Sequence, residues 1–162
     1  MALSSGGARG AAHVGVLKVL RDNGIEPDVI VGSSMGAEVG GFYASGVELD
    51  ELETLWRSSS FGHVFKTLLP TIPWSGWSSG NAVTRFLQQL IGNPRIEDLR
   101  VPYAAVATDL RSGEPFPIAS GSLVDAIRAS ISVPGLFNPV WIDGHLLIDG
   151  GVIRAVGSRA SS

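Results

Sequence analysis

The chain has 162 residues, with 12 Lys and Arg against 15 Asp and Glu and 44% hydrophobic residues; this is one domain's worth of chain, and its net charge of −3 makes nucleic acid an unexpected partner. Cysteine is absent, which excludes disulfides, thiolate metal sites and a cysteine nucleophile, and three scattered histidines, His13, His63 and His145, are too few for a zinc centre, so no metal or organic cofactor is expected. No run reaches the roughly 18 apolar residues of a membrane span, and Met1-Ala2-Leu3-Ser4 lacks the regions of an export signal, so a cytoplasmic or peripheral membrane location is expected.

Ala2-Leu3-Ser4 reads as the end of a short apolar strand that enters the turn Ser5-Gly6-Gly7-Ala8-Arg9-Gly10. A helix follows, with Val14, Leu17 and Leu20 near helical spacing and Asn23-Gly24 as its stop. Asp28-Val29-Ile30-Val31 predicts a buried strand, broken sharply by Gly32 to Gly36. A helix of small residues from Ala37 to Ala44 is expected next, ended by Gly46 in the left-handed conformation. Leu49, Leu52, Leu55 and Trp56 mark a further amphipathic helix.

From Ser58 to Gly80 periodicity fails, and aromatic residues interleave with Pro, Gly and Ser. Such an apolar loop reads either as a lid or as the cover of a satellite core. Its Trp74 and Trp77 suit contact with a membrane surface. Helical spacing resumes from Val83 to Ile91, Tyr103 to Asp109 predicts a strand, and Phe116 to Ala119 pairs back on it. Ser122 caps a helix to Ser130 with Asp125 as the return partner of a capping box, and Val140 to Ile148 forms a hairpin that ends in Asp149-Gly150-Gly151. The order of elements predicts an α/β layer fold with a partly parallel sheet in a single domain over residues 1–156, followed by a disordered tail at 157–162.

The pattern GxSxG occurs at Gly32-Ser33-Ser34-Met35-Gly36 and again at Gly76-Trp77-Ser78-Ser79-Gly80. A nucleophile elbow needs a strand leading in and a helix leading out, because the tight turn lifts the serine oxygen above the sheet onto a helix N-terminus. Only the first copy meets both conditions, so Ser34 is the candidate nucleophile and Ser78 a loop or cap residue. The turn Gly6-Gly7-Ala8-Arg9-Gly10 opens a helix with bare backbone N–H groups, which suits an oxyanion; the competing reading as a nucleotide phosphate loop lacks a GK[ST] ending. None of the three histidines stands in a recognisable setting with an acidic partner. Asp149 ends an apolar strand before two glycines, a position that directs and partly desolvates its carboxylate and so makes it a stronger base. An ordinary Asp-Gly turn is the alternative at that position.

Taken together, the Ser5 to Gly10 turn, Gly32 to Gly36, Ala107-Thr108-Asp109-Leu110, the run from Ala126 to Gly135 and Asp149-Gly150-Gly151 resemble the patatin-like phospholipase family, in the family's order and over nearly the whole chain. The resemblance implies a three-layer sandwich with a mixed, partly parallel sheet and helices on both faces. It implies an acyl hydrolase that cleaves lipid esters without a catalytic histidine. By the same resemblance Ser34 is the nucleophile, Asp149 the base, Gly6 to Gly10 the oxyanion turn, and Gly32, Gly36, Gly150 and Gly151 the motif glycines. Ser5 replaces the family's first loop glycine, and the family pattern stops after Val152, so the chain reads as a domain core cut short. A non-catalytic lipid- or anion-binding core and an acyltransferase using the same dyad are the rival readings.

Overall fold

The structure, a computed structural model, describes residues 1–57 and 80–152. The expected lid, with its two tryptophans, His63 and Ser78, lies outside the described residues, as does the tail. Six strands and five α-helices are described: β1 (Ala2–Leu3), α1 (Ala11–Asp22), β2 (Ile30–Ser33), α2 (Met35–Ser45), α3 (Leu49–Arg57), α4 (Asn81–Ile91), β3 (Tyr103–Asp109), β4 (Pro115–Ile118), α5 (Leu123–Ser130), β5 (Val140–Ile142) and β6 (His145–Ile148). Short 3-10 turns at Gly7–Gly10 and Ile96–Asp98 complete the path.

Local chemistry accounts for most boundaries. Gly46 ends α2 at φ 95°, and Val47 N–H returns to Phe42 C=O at 3.0 Å, as a left-handed helix stop requires. Ser122 caps α5, its Oγ accepting from Asp125 N–H at 3.1 Å. The second strand runs from Ile30 to Ser33 rather than from Asp28 to Val31. The shift follows from its partner: Ile30 N–H bonds to Pro102 C=O at 2.9 Å, and Pro102 has no N–H with which to carry the ladder back further.

β1, β2 and β3 are parallel, whereas β4 and β6 pair antiparallel with β3, and β5 closes on β6 as the predicted hairpin. The expected α/β class with a mixed sheet is the one the chain adopts. Register explains the arrangement around β3. Val106 faces Ser33 of β2 and Pro117 of β4, whereas Thr108 faces Ile148 of β6 and Pro115 of β4. A strand has two edges, and β4 occupies one of them through this whole stretch. β2 and β6 therefore share the other edge and run toward each other, so that Ser33 and Ile148 stand two residues apart along β3, about 7 Å. The residues that follow those two ends, Ser34 and Asp149, are thereby brought together.

Every residue of α2 from Met35 to Ala44 is buried. Its small residues let the helix backbone lie directly on the sheet: a Cβ at Gly36 would sit 2.1 Å from Leu3 C=O, and one at Gly32 would sit 2.3 Å from Gly36 C=O. Gly41 rests against Ile127 and Leu123, which seats α5 beside α2. Ile30 is fully buried beneath this layer, and Val31, on the opposite face, is 38% exposed. Among the described residues no helix is long and apolar enough to cross a membrane.

Gly36→Ala is expected to lower stability by about 1–3 kcal/mol, the usual cost of forcing extra atoms into a packed core. Urea denaturation that leaves the midpoint of Gly36→Ala at the wild-type value would contradict this packing.

Candidate active site

The site is built from three turns. At the first, Ser34 leaves β2 with φ 52° and ψ −121°, a backbone conformation that costs a non-glycine residue on the order of 1–3 kcal/mol and persists only where the surroundings enforce it. The enforcement is visible. Ser34 C=O accepts the first bonds of α2, from Ala37 N–H at 2.9 Å and Glu38 N–H at 3.1 Å, and Ser34 N–H donates to Ser130 Oγ at 2.8 Å. Its hydroxyl thus stands at the positive end of a helix, where a developing negative charge is stabilised.

The second turn carries Asp149. Its N–H donates to Ser132 C=O at 2.9 Å, its C=O accepts from Thr108 Oγ1 at 2.9 Å, and its Oδ1 accepts from Gly151 N–H at 2.7 Å. Oδ2 is buried and accepts no well-formed hydrogen bond among the described residues. Burial pushes the carboxyl pKa up, and the adjacent Ser34 side chain and the Gly151 N–H oppose that rise. Ser34 and Asp149 are therefore neighbours, joined from chain positions far apart.

The third turn is Gly7–Gly10. A Cβ on Gly10 would lie 2.6 Å from Met35 Cβ, so the turn is pressed against the residue that follows Ser34. A Cβ on Gly151 would lie 2.9 Å from Ser5 Oγ, which ties the turn to the Asp149 side as well. His13 Nε2 bonds to Ser4 C=O at 2.8 Å and fastens the base of the loop. A 3-10 turn gives its first N–H groups no internal acceptor, and Gly6 and Gly7 are exposed. Arg9 N–H, by contrast, is engaged by Gly6 C=O at 3.0 Å. The expected turn is thus beside the expected nucleophile, with its open donors at the glycine end.

One histidine does have an acidic partner, contrary to the sequence reading. His145 Nδ1 lies 2.5 Å from Asp109 Oδ2, and this contact, with the N–H groups of Arg111 and Ser112, holds the Asp109 carboxyl below its usual range. The pair spans the start of β6 and the end of β3, which only the strand register brings together. His145 precedes Asp149 by four residues of extended chain, about 13 Å.

Two buried charged residues also escaped the sequence analysis. Glu38, one turn into α2, is 4% exposed, and burial pushes its pKa up to about 7. An acidic residue inside the small apolar run Gly36-Ala37-Glu38-Val39-Gly40 is the signal that marks it. Arg128 on α5 bonds to Ser132 Oγ at 2.6 Å and stacks on Phe137 at 5.0 Å, with no carboxylate beside it among the described residues. Burial pushes its pKa down.

A serine on a strained strand-to-helix turn, a buried carboxylate beside it and a glycine turn against both thus come together on an α/β fold. The patatin-like phospholipase family profile matches residues 1–158, and the chain belongs to that family. It is 43% identical over 153 residues to an uncharacterised NTE family protein of Mycobacterium tuberculosis, covering 94% of this chain and 42% of that protein. It is 35% identical over 159 residues to patatin-like phospholipase domain-containing protein 6 of Homo sapiens, covering 95% of this chain and 12% of that one. A lysophospholipase, NTE1, of Cryptococcus neoformans is 35% identical over 156 residues, covering 93% of this chain and 10% of the relative. Among solved structures, VipD from Legionella pneumophila superposes with a TM-score of 0.75 at 14% identity, over 94% of this chain and 46% of the other, a likeness of fold. The chain thus spans less than half the length of these relatives.

Glu38 generates a pH prediction. Its folded pKa is raised from 4.5 to about 7, so between those values the native state binds more protons than the unfolded state and stability is lost as pH rises. The loss amounts to about 3 kcal/mol at the most. Glu38→Gln is expected to remove it. Urea midpoints at pH 5 and pH 8 check this, and a variant that keeps the wild-type difference between the two pH values would refute it.

Proposed function

We propose that this chain is a serine acyl hydrolase that cleaves carboxylic ester bonds of lipids through a Ser34–Asp149 dyad and an acyl-enzyme intermediate. The observation that carries the reading is the buried Asp149 carboxylate, one oxygen locked by Gly151 N–H and the other without a well-formed bond beside the Ser34 side chain. A carboxylate of that kind takes the hydroxyl proton as the serine oxygen attacks the ester carbonyl. The carbonyl oxygen gains negative charge, which the open N–H groups at Gly6 and Gly7 stabilise. Collapse of the tetrahedral species expels the alcohol, to which Asp149 returns the proton. Water then attacks the acyl-serine by the same route and releases the fatty acid. Family membership and a relative named as a lysophospholipase support a lipid ester as the substrate class. Contact with a lipid surface through Trp74 and Trp77 is part of the proposal and rests on the sequence alone.

Ser34→Ala is expected to abolish both ester hydrolysis and covalent labelling by a fluorophosphonate while the melting temperature stays near wild type. Asp149→Asn keeps the shape but cannot accept the proton, and should lower kcat by about 10²–10⁴-fold. Because burial raises the Asp149 pKa, activity should rise with pH through an apparent pKa above 3.8, the ordinary aspartate value. A folded Ser34→Ala protein that still turns over p-nitrophenyl butyrate would overturn the assignment. For the surface contact, Trp74→Ala with Trp77→Ala should reduce activity on phospholipid vesicles far more than on that soluble ester; equal losses on both would reject it.

A further inference from the structure

The last residues of α5 touch both halves of the site. Ser130 is fully buried, so no solvent stands in for its hydroxyl. A serine hydroxyl has one proton to give and lone pairs to accept with. Here the proton goes to Val106 C=O at 2.6 Å, which leaves the lone pairs to accept Ser34 N–H at 2.8 Å. The main chain of the same residue works on the other side: Ser130 C=O accepts Gly150 N–H at 3.2 Å, next to Asp149. Among the described residues Ser130 alone bonds to both the elbow and the Asp149 turn.

We infer that Ser130 is a positioning residue for ester cleavage: its hydroxyl holds the strained Ser34 elbow in register with the Asp149 turn. The inference rests on the Ser34–Asp149 reading above. Ser34 N–H is the donor that a relaxing elbow would carry away, because φ 52° is not a conformation the residue keeps unaided. Val106 is the β3 residue opposite Ser33, so the hydroxyl links the elbow to the strand that also carries β6. The same bond has a chemical consequence. With Ser34 N–H engaged, it is not a donor to the oxyanion.

The test compares Ser130→Thr with Ser130→Val. The two side chains have nearly the same shape and crowd the site equally, but only threonine keeps a hydroxyl. kcat and KM for p-nitrophenyl butyrate and the rate of fluorophosphonate labelling, mapped to its residue by mass spectrometry, are read well below each variant's melting temperature. Displacing a reacting group by about 1 Å costs on the order of 10²-fold in rate. The expected result is therefore a kcat and a labelling rate about 10²-fold lower for valine than for threonine, with KM within about twofold. Equal kcat for the two variants, or a difference confined to KM or to the melting temperature, overturns the inference. If threonine does not fold at this site, Ser130→Ala adds no volume, and a folded alanine variant with wild-type kcat overturns it too. Absence of wild-type labelling at Ser34 would instead overturn the dyad reading itself.

Discussion

β3 offers two edges, and the whole site follows from how they are shared. With β4 along one edge, the parallel strand β2 and the antiparallel strand β6 must divide the other, and their C-terminal ends face each other across a gap of about two residues. Neither chain can run on through that gap. β2 turns up into α2 at Ser34, and β6 turns away at Asp149-Gly150. The gap is also tight, since a Cβ on Gly150 would stand 2.1 Å from Val106 C=O and 2.6 Å from Ser33 Oγ. A glycine there lets the second turn close on the first. The chemistry proposed for this chain therefore begins as a problem of strand pairing, and Ser34 and Asp149, more than a hundred residues apart, meet because one strand edge has room for both strands that lead to them.

Burial then decides what the charged groups near the meeting point do. Asp149, Glu38 and Arg128 are each removed from water, and in each the charged form is penalised. They differ in what opposes the penalty. Asp149 has a backbone N–H and a serine side chain, so its pKa rises against two opposing contacts. Glu38 has burial as its sole cause of shift, and its pKa reaches about 7. Arg128 leans on a hydroxyl and an aromatic ring in place of a carboxylate. Only Asp149 combines partial compensation with an oxygen free to take a proton, which separates the proposed base from the other two buried groups.

How far this was legible in the sequence depends on the range of the interaction. Ser34 was legible because an elbow is local: strand, GxSxG and a helix of small residues occupy about fifteen consecutive positions. Asp149 was legible as a strand end before two glycines, and Gly46 and Ser122 as helix signals, for the same reason. Ser130 stands out in the sequence only as part of a run shared with the family, because its partner Ser34 lies 96 residues away and nothing in the local pattern says that its hydroxyl faces an elbow. The His145–Asp109 pair was missed on the same ground, since it needs the β3–β6 register. The start of β2 was misplaced because the β-branched run at Val29 says where a strand is favourable, whereas Pro102 on the neighbouring strand decides where it can be paired.

A base that is a carboxylate makes stricter demands on the scaffold than an imidazole does. Aspartate reaches only two bonds from its Cα to the carboxyl carbon, so an error in its backbone position passes almost undiminished to the atom that takes the proton. A histidine base is commonly steadied by a third residue that orients its ring. In the proposed dyad no third side chain among the described residues bonds to the Asp149 carboxylate, and contacts to the main chain around it take over that task. Asp149 is pinned by Ser132 through its N–H, by Thr108 through its C=O and by Gly151 through Oδ1, while the opposing elbow is pinned by Ser130. Sites of this kind need their groups held to within about 0.5 Å, and packed, buried partners supply such tolerance better than exposed ones. The concentration of hydrogen bonds on the main chain at these two turns, rather than on the reacting side chains, is what a dyad without a histidine requires.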